Sequence, residues 1–175
     1  MSYLKFERAT MTNLQTVMQK ELLRTNRSGA YSCSTLVDCN TRKYHGLLVI
    51  PVPGLDDDNH VLLSSLDCSV VQHGVQFNLG LHKYQGNSYS PNGHKYIREF
   101  NCDIVPTTIY RVGAVELKKE LIFQHYEDRI LIRDTMTSHD RVSLVKVMGS
   151  RCPHKMRPRC ADSARRWQSR PSHQR

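Results

Sequence analysis

Thr107-Thr108-Ile109-Tyr110-Arg111-Val112-Gly113-Ala114-Val115-Glu116-Leu117-Lys118-Lys119-Glu120-Leu121-Ile122-Phe123 reads as two strands around one tight reversal, and it decides the fold class. Val115, Leu117 and Leu121 alternate with Glu116, Lys118 and Glu120. A period of two puts successive side chains on opposite faces, so one face is apolar and the other wet. Gly113-Ala114 supplies the reversal, because glycine reaches positive φ without a Cβ clash.

The same texture extends both ways. Arg129-Ile130-Leu131-Ile132-Arg133 follows, and Tyr96-Ile97-Arg98-Glu99-Phe100 precedes. Further upstream, Cys68–Gln72 and Val75–Leu79 flank His73-Gly74 as a predicted hairpin. Val61-Leu62-Leu63 is another short strand, and Leu47-Leu48-Val49-Ile50 is a buried one closed by Pro51-Val52-Pro53-Gly54. Asp56-Asp57-Asp58-Asn59 reads as an exposed loop. Many short strands with regular turn signals predict an all-β, antiparallel β-sandwich. Leu14, Val17, Met18 and Leu22 recur at helical spacing and predict a short amphipathic helix around Thr12–Leu23.

Length and charge bound what this sandwich can do. A chain of 175 residues is one domain's worth and can bury a core without metal or disulfide staples. No stretch approaches the roughly 18 apolar residues of a membrane span, and no secretory signal is readable, so no membrane partner and a cytoplasmic location are expected. The six cysteines form no C-x-x-C pair and are read as buried free thiols. The net charge is +9, yet 15 basic and 15 acidic residues balance through Asp140. The excess lies in residues 141–175, with ten basic residues (eight Arg, two Lys) against Asp162. A folded nucleic-acid binder spreads its basic patch over a face, so nucleic acid is not the expected partner. Residues 138–175 are read as a basic, disordered tail without periodicity, the product of a shifted reading frame.

Two stretches carry a family resemblance. Lys20-Glu21-Leu22-Leu23-Arg24-Thr25-Asn26-Arg27-Ser28-Gly29-Ala30-Tyr31-Ser32 resembles the opening motif of glycogen debranching enzyme amino-terminal domains: an acidic-Leu-Leu-x-Thr-Asn run, then small residues and an aromatic. Cys39-Asn40-Thr41-Arg42-Lys43-Tyr44-His45-Gly46-Leu47-Leu48-Val49 is similar to that family's Thr-Arg-basic-Tyr-His-Gly-Leu-Leu signature. His60–Asp67, the Tyr84–Tyr96 region and Tyr110–Gly113 follow in the family's order. Ser28-Gly29-Ala30 departs from paired glycines. The resemblance runs over residues 20–137, divides the chain into an extension (1–19), an incomplete sandwich domain (20–137) and the tail (138–175), and implies a supersandwich-like fold.

The resemblance implies amylo-α-1,6-glucosidase chemistry on glycogen or limit dextrin, with the α-glucan met through the full-length enzyme. It places the catalytic acids in a helical barrel that this chain lacks, so the chain is expected to be inactive alone and no residue receives a catalytic role. Glycoside hydrolysis needs two carboxylates flanking the bond. No cofactor and no metal are expected. Arg42, Tyr44 and His45 cluster before a strand; they either reach a sugar or the barrel, or fix the strand's start through backbone bonds. Tyr84 and Tyr89, with Tyr96, are either a sugar platform or packing residues. Asp56–Asp58 lacks the ligand alternation of a calcium loop. Cys152, His154, Cys160 and His173 lack zinc-finger spacing. Two other readings are a freestanding carbohydrate-binding module and a nucleic-acid binder using the tail.

Overall fold

A computed structural model describes residues 4–52 and 59–149. Its strands are β1 (Lys5–Glu7), β2 (Glu21–Thr25), β3 (Tyr31–Thr35), β4 (Gly46–Pro51), β5 (Asn59–Leu63), β6 (Ser65–Gln72) and β7 (Val75–Asn78). They continue as β8 (His82–Lys83), β9 (Tyr89–Ser90), β10 (Ile97–Cys102), β11 (Pro106–Val112), β12 (Val115–Phe123), β13 (Ile130–Thr137) and β14 (Val142–Gly149). Every pairing among them is antiparallel. A five-stranded sheet runs β1-β10-β11-β12-β13, a four-stranded one β2-β3-β4-β5, a three-stranded one β14-β6-β7, and β8-β9 form a small ribbon. The all-β antiparallel sandwich is therefore the fold.

The core lies where the inner faces of β6, β10, β11 and β12 meet two short helices, α1 (Arg8–Met11) and α2 (Leu14–Val17). Met11 and Val17 are fully buried there with Val70, Leu81, Ile97, Val115 and Leu117. Truncating one such side chain typically costs about 2–5 kcal/mol. Asn13 caps α2, its side chain accepting from the Thr16 amide at 3.1 Å. No described helix is long and apolar enough to cross a membrane.

Two boundaries and one sheet face differ from the sequence reading. The single helix over Thr12–Leu23 is two four-residue helices, and Glu21–Thr25 is a strand. Pairing with β3 (Leu22 to Ser34, Leu23 to Cys33) wins over the local helical spacing, and Leu23 ends 60% exposed. The sandwich also does not end at residue 137. β14 pairs with β6 over its full length, from Val142↔Gln72 to Gly149↔Ser65, and its Leu144 packs against the core. The disordered reading is thus corrected for Val142–Gly149; residues 150–175 lie outside the described residues, as do Asp56–Asp58 and the Cys152–His173 group.

The third difference concerns the wet face of β12. Val115 and Leu117 point inward as expected, and the same alternation carries Lys119 inward with them, where it is 6% exposed. It survives there by pairing with Asp38: burial alone would lower its pKa, and the Asp38 charge outweighs it and raises it. On the opposite face, Glu120 is buried beneath Arg133 and Lys118. Asp134, on β13, is likewise buried and takes its counter-charge from Lys146 on β14. β14 thus supplies a charge that β13 requires.

Candidate functional site

Arg42, Tyr44 and His45 converge on one carboxylate, Glu21 of β2. Arg42 Nε donates to Glu21 Oε1 at 2.7 Å, and the Tyr44 hydroxyl donates to Oε2 at 2.8 Å. His45 Nε2 lies 3.3 Å from Oε1, at ion-pair distance but outside hydrogen-bond geometry. Local chemistry brings them there. Thr35 and Cys39 close the turn after β3 with reciprocal bonds of 3.0 Å. Asn40 anchors the following loop on the Ser64 carbonyl at 2.7 Å, and the His45 amide bonds the Arg42 carbonyl. Gly46 then opens β4 so close to its neighbours that a Cβ would lie 2.7 Å from Val49 Cγ2 and 2.9 Å from Val61 Cγ1. Only glycine lets the loop lie flat at this point.

The electrostatics follow from the contacts. Burial pushes the Glu21 carboxyl up, but hydrogen bonds from Tyr44 and Arg42 outweigh it and hold the pKa below the ordinary carboxylate value. The same bonds raise Tyr44 and Arg42. His45 is fully buried, and desolvation lowers its pKa against the pull of Glu21, so the imidazole is neutral at pH 7. Its Nδ1 accepts from the Thr41 amide at 3.1 Å, which places the proton on Nε2, toward Glu21.

That tautomer bears on metal binding. Glu21, Cys33 and His45 bring ligand atoms within 4.8 Å of one another. A metal on Nε2 would require the proton on Nδ1, where the Thr41 N–H already points. Burial and the Glu21 charge also raise the Cys33 thiol, which disfavours the thiolate a metal needs. The residues present do not fit a metal.

Around the cluster opens a groove of about 730 Å³ lined by Glu21, Leu23, Arg27, Tyr31, Cys33 and Tyr44. Tyr44 is 47% exposed, and Tyr31 donates to its carbonyl at 3.2 Å. Glu21 is the sole carboxylate on this wall, and each of its oxygens already accepts one hydrogen bond, from Arg42 or from Tyr44. It therefore acts as a strut that orients a guanidinium and a phenol ring toward solvent.

Asn26 sets the far end of the groove and went unnoticed in the sequence beyond its place in a motif. It is fully buried. Its Oδ1 accepts from the Ser28 and Ala30 amides at 2.9 and 3.0 Å. Its Nδ2 donates to the Glu127 carbonyl and Asp128 Oδ1 at 3.1 and 2.9 Å. The Tyr126 amide closes on the Asn26 carbonyl at 2.7 Å. One side chain thus joins the β2–β3 turn to the β12–β13 turn. Glu21 was also missed as the hub; the only signal was that both halves of the site lay within the resembling stretches.

Tyr84 and Tyr89 are not part of this cluster. Tyr84 is 55% exposed beside the β8–β9 turn, its amide donating to the Ser88 carbonyl at 2.8 Å. Tyr89 is half-buried in β9 and packs against the core.

The family described as "Glycogen debranching enzyme N terminal" matches residues 20–165. The match extends past residue 137, where the resemblance read from the sequence stopped. No curated protein is significantly similar to the chain. No solved structure is either.

Proposed function

The chain belongs to the glycogen debranching enzyme N-terminal family, and from that premise we propose that it is the non-catalytic module of such an enzyme, serving α-glucan breakdown beside a separate catalytic portion. The family match over residues 20–165 carries this reading. The groove chemistry supports it. Acid–base cleavage of a glycosidic bond needs a paired carboxylic acid and carboxylate. The large groove offers Glu21 alone, held ionised by Arg42 and Tyr44. What this face does offer is the exposed Tyr44 ring on the groove wall and, beside the groove, the Arg42 guanidinium held on Glu21, groups suited to gripping a carbonyl- or hydroxyl-bearing surface. We assign that face to the catalytic portion.

The test is glucose release from a branched limit dextrin. The full chain alone releases none. Added to a family catalytic portion stripped of its own N-terminal domain, it raises release, and Arg42→Ala with Tyr44→Ala removes the gain. Glucose release by the pure chain would overturn the non-catalytic role.

A further inference from the structure

A second groove, away from the Glu21 cluster, has the chemistry of a sugar site. Gln76 and Asn78 lie two apart on β7, so their side chains share one face. Asn78 Oδ1 accepts from Ser69 Oγ and from Gln76 Nε2, each at 2.8 Å. Both acceptor positions of that oxygen are taken, which fixes the amide and turns its NH2 outward. Gln76 keeps its Oε1 as an open acceptor. The pair therefore presents a donor next to an acceptor, the pattern that neighbouring ring hydroxyls complement, since each hydroxyl both donates and accepts.

The opposite wall is built from Pro91, Asn92 and Tyr96, the last meeting Phe77 edge-on at 6.2 Å between centroids and 85° between planes. The groove measures about 440 Å³, within the range of small-molecule sites. Its lining includes three amides, together with Phe77 and Tyr96, which also pack against the core, and it has no carboxylate and Lys95 as the single formal charge. This lining selects against cations, gives an anion little grip, and suits a neutral polyhydroxylated ring with one apolar side.

The groove is preformed. The Gly93 amide donates to the Gly80 carbonyl at 3.0 Å. The two backbones approach so closely that a Cβ on Gly93 would sit 2.1 Å from the Leu79 carbonyl carbon. That weld holds the Pro91–Tyr96 wall against the end of β7 without waiting for a ligand, so little ordering entropy opposes binding.

We propose that this groove binds a pyranose unit of an α-glucan chain, giving the module its own hold on the polymer. The proposal rests on the debranching reading for the identity of the sugar, not for the groove. The experiment titrates the full chain with maltoheptaose, following backbone amide shifts by NMR and affinity by calorimetry. Shifts centre on Gln76, Asn78, Asn92 and Tyr96. Asn78→Ala and Asn92→Ala, both at exposed positions, each weaken binding roughly 3- to 10-fold, and Ile104→Ala, 84% exposed and outside the groove lining, leaves it unchanged. No binding by the unaltered chain, or binding that Tyr44→Ala abolishes and Asn78→Ala spares, overturns the proposal. Either outcome leaves the limit-dextrin test of the Arg42–Tyr44 face standing on its own.

Discussion

Asn26→Ala removes four hydrogen bonds from a side chain with no solvent exposure. The Ser28 amide, Glu127 carbonyl and Asp128 carboxylate belong to exposed residues, so water can replace the lost partner. Each then costs only the net worth of a hydrogen bond, about 1 kcal/mol. The Ala30 amide is different: Ala30 is 1% exposed, and an orphaned buried donor costs about 1–3 kcal/mol. Bonds sharing one hub do not add fully, so the expected loss is about 3–5 kcal/mol, a large share of the roughly 5–15 kcal/mol of a typical domain. Urea unfolding followed by circular dichroism reads it directly. Asn26→Asp separates the bonds from the volume. It keeps the acceptor for Ser28 and Ala30 but turns a donor into an oxygen facing Asp128 Oδ1 across 2.9 Å. At pH 7 it costs at least as much as alanine, and part of the loss returns in acid as the introduced carboxyl protonates and can donate. A loss below 1 kcal/mol for Asn26→Ala, or wild-type stability for Asn26→Asp at pH 7, refutes the hub.

Lys146→Met strands Asp134, whose side chain is 4% exposed; the expected cost is about 2 kcal/mol, discounted because Lys146 is itself 37% exposed, and adding Asp134→Asn recovers most of it in the same unfolding assay. Gly93→Ala drives a Cβ into backbone 2.1–2.5 Å away and costs about 3 kcal/mol. Gly86→Ala, with open space but φ +73°, costs only about 1 kcal/mol; equal losses at both sites would count against the weld. Hydrogen bonds from Arg133 and Lys118 hold the Glu120 pKa at about 2 against an ordinary 4.5. A depressed carboxylate stabilises the fold above its unfolded pKa and loses that contribution as pH falls through the folded one. The denaturant midpoints of the wild type and Arg133→Gln therefore differ at pH 6 and converge by about pH 2; a constant difference across that range rules the linkage out.

Local pattern alone determined much of this protein. Alternation in Val115–Leu117 and the His73-Gly74 and Gly113-Ala114 reversals follow from which side chains share a face and which residues reach positive φ, so the strands β6, β7, β11 and β12 were legible, and with them the all-β class. The two resembling stretches likewise marked where the site would be. Tertiary structure alone decided three things. Glu21–Thr25 became a strand because an edge of β3 was there to pair with, and local spacing cannot see a partner distant in sequence. Lys119 and Asp134 became interior charges because Asp38 and Lys146 reach them from other strands, whereas sequence assigns a charge to solvent until its counter-ion is located. Val142–Gly149, by contrast, carries apolar residues of its own (Val142, Leu144, Val145, Val147 and Met148); the change of charge after Asp140 masked them, and β6 supplies the backbone partners. Glu21 and Arg42 stand 21 positions apart and touch only because the turn after β3 brings the second motif back over the first. Motifs name the residues of a site, but the distance between them belongs to the chain's path.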